Sequence, residues 1–287
     1  MQVNTVAFSN GSNAVYYSLQ QLAPLQAVFA AHGVQTHCGA CLLEDPSTPG
    51  CTGSAQARAN ALNTLFADAN IDAVLDISGG DAANGMLSYL DYAAIKRQPK
   101  PLFGYSDMTC VLNAIYARCG IETYLYQVRH LTGEFAQAQQ ARFFSFVSGR
   151  SNALLAFSYR FYGAQKAMQG VLVGGNLRCF LKLAGTPYFP DCKGKILFLE
   201  AYSGDLNRLE AYLHQLAQMG VFQQCSGILL GTCTQADREY GRENVVQLVS
   251  RFANGVPFAA TRQVGHGQDS RCVAIGRFYR LEARKGC

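Results

Sequence analysis

The feature that most constrains this fold is a repeated alternation, through the first half of the chain, of short apolar runs and longer stretches with helical spacing. "VNTVAFS" is a short apolar strand ending in the turn cluster "SNGSN". "AVYYSLQQLAPLQAVFAAHG" follows with helical spacing, bent at Pro24 and stopped at Gly33, and "VQTHCGA" is a weaker second strand. "SAQARANALNTLFADAN" reads as an amphipathic helix capped by Ser54. "IDAVLDIS" is a buried strand closing on "GGD", "ANGMLSYLDYAAIKRQ" is mostly helical, and "PLFGYS" is the next strand. Such repetition predicts a parallel sheet with helices on both faces. In sheets of this kind ligands collect beyond the carboxyl ends of the strands, where the "SGGD" and "GYSD" turns fall.

The alternation fades over "VSGRSNALLAFSYRFYGAQKAMQG", and a junction is expected near residues 148–170. The reading is an N-terminal α/β domain over 1–150, a linker over 151–170 and a smaller mixed α/β domain over 171–287. The last part supplies short strands, "KILFLE", "SGILLGT", "VPFAA", "CVAIG" and "RFYRLEA", with helices at "DLNRLEAYLHQLAQMG" and "RENVVQLVSRFANG". A length of 287 residues suits two modest domains, and 49% hydrophobic against 15% charged residues gives ample core and excludes disorder. No apolar run is long enough to cross a bilayer, and the N-terminus lacks the basic start and apolar centre of a signal peptide. A cytoplasmic protein with no membrane partner is therefore expected. The net charge of +5 is mild and the only basic block is the tail "EARKGC", so no nucleic-acid partner is expected, whereas small anionic substrates fit. The 11 cysteines are expected to be reduced, most of them as small buried hydrophobes.

Ser106 sits where the strand "PLFGYS" joins the helical pattern "MTCVLNAIYARCG". Two readings are open: a helix cap, or a nucleophile whose turn exposes free backbone N–H groups able to hold an oxyanion. The turn shares Gly104 with the G-x-S-x-G elbow but has Met108 at the second glycine. Glu200 ends the apolar run "KILFLE", either as a solvated strand-end carboxylate or as a group that orients a histidine. Of five histidines, His32 and His214 read as solvent-facing, and His266 lies in the Gly-flanked loop "VGHGQDSR". Ser106, Glu200 and His266 have the residue types of a triad, in which the histidine deprotonates the serine and the acid fixes its tautomer. "HCGAC" carries a Cys-x-x-Cys pair without a second ligand pair, so no metal is expected. "SGGD" lacks the Lys and Ser/Thr of a P-loop, and no cofactor is expected.

Several long motifs occur in a fixed order. "DISGGDAANGMLSYLDYAAIKRQPKPLFGYSDMTCVLNAI", "VLVGGNLRCFLKLAGTPYFPDCKGKILFLE", "NRLEAYLHQLAQMGVF" and "VGHGQDSRCVAIG" together resemble the serine peptidase family of LD-carboxypeptidases, which includes microcin C immunity peptidases. The resemblance implies a flavodoxin-like or amidotransferase-like N-terminal domain, a smaller C-terminal domain, an active site between them and a homodimer. It implies Ser106 as nucleophile, Glu200 as acid and His266 as base, with the N–H groups of Asp107 and Gly80 forming the oxyanion hole. The implied substrate is a small peptide, a peptidoglycan tetrapeptide losing its terminal D-alanine, or alternatively a peptidyl-nucleotide; a non-catalytic binding protein of the same fold is the other alternative. Arg178, Arg262 and Asn176 are the candidate substrate-binding residues. For a nucleobase, the stacking platform is sought among Phe157, Tyr159, Phe161 and Tyr162, because the chain has no Trp. One segment departs from the family: "TYLYQVRH" stands where an "HGP"-like run is usual.

Overall fold

In chain order the N-terminal part of this computed structural model holds β1 (Thr5–Ser9), α1 (Leu19–Ala31), β2 (Gln35–Cys38), α2 (Ala55–Ala67), β3 (Ala73–Asp76), α3 (Tyr92–Arg97), β4 (Leu102–Gly104), α4 (Thr109–Cys119), β5 (Thr123–Leu125) and α5 (Ala136–Val147). The structure describes residues 2–13, 19–45, 50–253 and 255–283. The expected helical start over 14–18 and the end of the basic tail, 284–287, lie outside the described residues.

The four strands β1, β3, β4 and β5 are parallel neighbours, with β2 beside β1. Their order, β5-β4-β3-β1-β2, is that of flavodoxin-like sheets, and the expected parallel α/β class is observed. Local chemistry explains the ends of the helices. Ser54 caps α2 by accepting from the Ala57 N–H at 3.1 Å, and α4 ends at Gly120, whose φ of 73° lies in the left-handed region. β3 is buried along its whole length, as a central parallel strand must be. "ANGMLSYLDYAAIKRQ" is a 3-10 stretch, Ala83–Tyr89, followed by α3 rather than one helix.

The remainder of the chain builds β6 (Arg160–Tyr162), β7 (Ala167–Asn176), α6 (Leu177–Leu181), β8 (Ile196–Ala201), α7 (Leu206–Gln218), α8 (Val221–Gln224), β9 (Gly227–Cys233), α9 (Thr234–Tyr240), α10 (Arg242–Ala253), β10 (Phe258–Ala260), β11 (Val273–Ile275) and β12 (Phe278–Glu282). β7, β8, β9 and β10 run parallel, and β12 and β6 close the two edges antiparallel, giving a mixed second sheet. β11 does not join it. It crosses back and pairs antiparallel with β5 at the edge of the first sheet. The stretch where alternation fades in the sequence contains β6 and the start of β7, the longest strand here.

α4 packs between the sheets, so one apolar core runs from Val74, Leu102 and Ile115 through to Leu172, Leu197 and Leu229. A second core, with Phe8, Phe29, Phe103, Tyr126 and Phe143, fills the other face of the first sheet. Among the described residues no helix is long and apolar enough to cross a membrane.

Candidate active site

The chain leaves β4 at Gly104 and turns sharply at Ser106, a half-buried residue with φ of 51°. L-residues other than Gly, Asn and Asp rarely adopt that conformation, and a strained serine at the end of a parallel strand is the geometry of a nucleophile elbow. Ser106–Met108 forms one 3-10 turn that leads into α4. The Asp107 and Gly80 N–H groups make no hydrogen bond among the described residues. The side chain of Asp107 is fully buried: one oxygen accepts from the Ala83 N–H at 2.8 Å and the other pairs with the Lys182 ammonium at 2.5 Å. Lys182 also donates to the Asp81 carbonyl at 2.6 Å, and Arg178 binds the Asp81 carboxylate and the Gly80 carbonyl. The "SGGD" turn, the serine turn and α6 are thus tied together. The Arg178 hydrogen bond leads the forces that hold the Asp81 carboxyl below its ordinary range. At the root of the same turn, Asp76 accepts from Ser9 Oγ, Gly11 N–H and Ser78 N–H, while burial pushes its carboxyl upward.

The "GGN" motif docks the second sheet onto α4. Asn113 of α4 receives the Gly174 N–H at 2.9 Å and donates to the Gly174 carbonyl at 2.8 Å, both fully buried. A Cβ at Gly174, φ 107°, would lie 2.2 Å from the Phe198 carbonyl oxygen, so only glycine fits. Asn176 caps α6 through its side chain and lies in register beside Glu200 on β8.

Glu200 is completely buried, and its Oε2 accepts from His266 Nδ1 at 2.7 Å. The His266 loop reaches it because Gly265, φ 131°, lies where a Cβ would meet Thr232 Oγ1 at 2.1 Å. The imidazole sits between two tyrosine rings, Tyr105 at 4.5 Å and Tyr202 at 4.8 Å between centroids. Tyr105 precedes Ser106, so the ring of His266 packs against the residue next to the serine. No hydrogen bond joins Ser106 to His266 among the described residues. The buried oxygens Tyr105 Oη, Glu200 Oε1 and Thr232 Oγ1 and the nitrogen His130 Nε2 have no hydrogen-bond partner among the described residues. His130, in the departing "TYLYQVRH" segment, is buried, and burial leads the forces that lower its pKa to about 4.

Of the candidate substrate-binding residues, Asn176 lies beside Glu200 at the end of β7, Arg178 is engaged by the Gly-Gly-Asp turn, and Arg262 is exposed on the His266 loop without an ion pair among the described residues. The aromatics sought as a stacking platform pack elsewhere. Phe157 contacts Tyr159 and Tyr279, Tyr162 contacts Phe258, Phe161 is buried, and the Tyr159 hydroxyl bonds the backbone of Glu282. Phe157 and Tyr159 reach β12 at one edge of the second sheet, and Tyr162 packs on β10 beside the other edge. His32 and His214 are exposed as expected, His32 stacking on Phe144. Among the described residues no group of three or more His, Cys, Asp or Glu side chains is arranged to hold a metal. Sequence reading did not single out Asn113, Lys182, His130 or Tyr202. Asn113 had one signal, a lone amide within the apolar run "TCVLNAIYA".

Residues 3–126 match the family profile described as LD-carboxypeptidase N-terminal domain, and residues 169–281 that described as LD-carboxypeptidase C-terminal domain. The Bacillus subtilis protein YocD is 30% identical over 260 residues, 82% of this chain and 80% of that one. The murein tetrapeptide carboxypeptidase of Pseudomonas aeruginosa is 28% identical over 269 residues, covering 88% and 86%. The solved structure of MccF in complex with glutamyl sulfamoyl guanosine superposes with a TM-score of 0.85 over 99% of this chain and 97% of that one, at 19% identity, a likeness of fold.

Proposed function

This chain belongs to the LD-carboxypeptidase family of peptidases, and from that premise we propose that it is a serine-type LD-carboxypeptidase releasing the terminal D-alanine of peptidoglycan-derived tetrapeptides. One observation carries the reading. The hydrogen bond from His266 Nδ1 to the buried Glu200 leaves Nε2 as the ring nitrogen available for the serine, while the ring itself packs on Tyr105.

Ser106 Oγ attacks the carbonyl carbon of the scissile amide as His266 Nε2 takes its proton. Glu200 holds the tautomer and stabilises the imidazolium that forms. The N–H groups of Asp107 and Gly80 receive the negative charge on the carbonyl oxygen. His266 then protonates the leaving nitrogen, D-alanine departs, and water activated by His266 releases the acyl group from Ser106. Asn176 steadies the start of α6 beside Glu200. Of the two arginines, Arg262 receives the terminal carboxylate, and Arg178 braces the Gly-Gly-Asp turn from behind. Residues 1–150 carry the nucleophile and 171–287 the acid and base, in a cytoplasmic homodimer.

The Ser106→Ala variant tests this. It is expected to fold with the wild-type circular dichroism spectrum and to release no D-alanine from a muropeptide tetrapeptide; release at the wild-type rate would refute the assignment. A second reading, cleavage of a peptidyl-nucleotide, has one observation in its favour: the exposed ring of Tyr202 against His266. Assaying a peptidyl-nucleotide beside the tetrapeptide separates the two.

A further inference from the structure

The two tyrosines that enclose His266 are not equivalent. Tyr105 is 4% exposed and belongs to the core, whereas Tyr202 is 59% exposed. The ring packs at 4.8 Å and 32° from the imidazole and leaves most of its remaining surface open to solvent. Its backbone is fixed from behind: the Gln235 N–H donates to the Tyr202 carbonyl at 3.0 Å, and the Gly204 N–H donates to Gln235 Oε1 at 2.8 Å. The loop is pinned, and the ring it presents has only two rotatable bonds to order when something covers it.

The chemistry says what covers it. With Nδ1 held by Glu200, the nitrogen that hands a proton to the departing amine is Nε2, so the leaving group must come within hydrogen-bond distance of the imidazole. It then lies within about one ring width of Tyr202. The other aromatics in question, over 157–162, are spent on internal packing.

We infer that Tyr202 forms the leaving-group wall of this site and determines specificity there: the chain favours leaving groups with a flat or extended apolar face over D-alanine. The inference rests on the hydrolytic reading above and specifies its substrate class.

The test uses the full chain and two peptides with a common L-Ala-γ-D-Glu-L-Lys acyl half, one ending in D-Ala and one in D-Phe. kcat/KM is measured for wild type, Tyr202→Ala and Tyr202→Phe, with Ser106→Ala as the blank. The wild type is expected to favour D-Phe. Tyr202→Ala should lower kcat/KM for D-Phe about 3–10-fold more than for D-Ala, the range expected for one aromatic contact, and Tyr202→Phe should keep the wild-type ratio. An equal fall on both peptides would assign the ring only to steadying His266 and overturn the proposal, as would an unchanged ratio in Tyr202→Ala. Turnover of neither peptide above the blank would overturn the hydrolytic reading and this inference with it.

Discussion

Ser106 is the residue where local physics and proposed chemistry meet. Its φ of 51° costs an L-side chain on the order of 1–2 kcal/mol, and nothing in serine's own preferences calls for it. The sequence therefore announced a strand-to-helix join at "GYSD" without announcing strain. Glycine tolerates the conformation, so Ser106→Gly should be more stable than Ser106→Ala by about 1 kcal/mol, read as a higher urea midpoint, while both variants lack activity. Equal midpoints would mean that the turn relaxes without cost. Glu200 and His266 were legible as residue types at a strand end and in a glycine-flanked loop. Their contact at 2.7 Å was not legible, because it depends on Gly265 meeting Thr232. Lys182 and Tyr202 gave no signal: a lysine in "FLKLAG" and a tyrosine after a strand are ordinary until the fold brings Asp107 and His266 to them.

Among the elements, α4 carries the most. It follows the serine turn and, through Asn113, clasps β7 by both hydrogen-bonding groups of Gly174. Asn113→Ala would leave a buried N–H and a buried carbonyl without that partner, and the expected loss is about 2–4 kcal/mol by urea denaturation. A loss below about 0.5 kcal/mol would show that water replaces the amide. Apolar runs and helical spacing made β1, β3, β4, β8, α2 and α7 readable. β5 reads "TYL" directly after the charged Glu122, and β7 mixes Gln and three glycines into its apolar residues, so neither has the unbroken pattern that marks a buried strand. Those glycines are what permit β7 to lie so close to its neighbours, so the composition that hid the strand is also what docks it.

At the scale of the whole molecule, the parallel α/β class followed from the alternation, but the strand order and the sharing of one core between two sheets did not, since both arise from long-range pairing. Global stability should carry the imprint of His130. Burial and the nearby Arg129 charge hold its pKa near 4 in the folded chain, below the ordinary 6.5, so the unfolded chain takes up a proton first as the pH falls. Stability is full above pH 6.5 and declines as the pH drops through 4, by roughly 3 kcal/mol from this group. His130→Gln should flatten the dependence of the urea midpoint on pH over that window; an unaltered slope would show that other groups set it.

The return of β11 to the first sheet has a consequence for how such proteins exchange parts. The His266 loop is anchored at one end by β10 in the second sheet and at the other by β11 in the first. A chimera that took everything beyond residue 169 from a relative would import a foreign border for the first sheet along with the new half. Recombination that preserves the His266–Glu200 contact must therefore carry a matched β5 and β11 together, so the two halves behave as a stitched pair rather than as interchangeable modules.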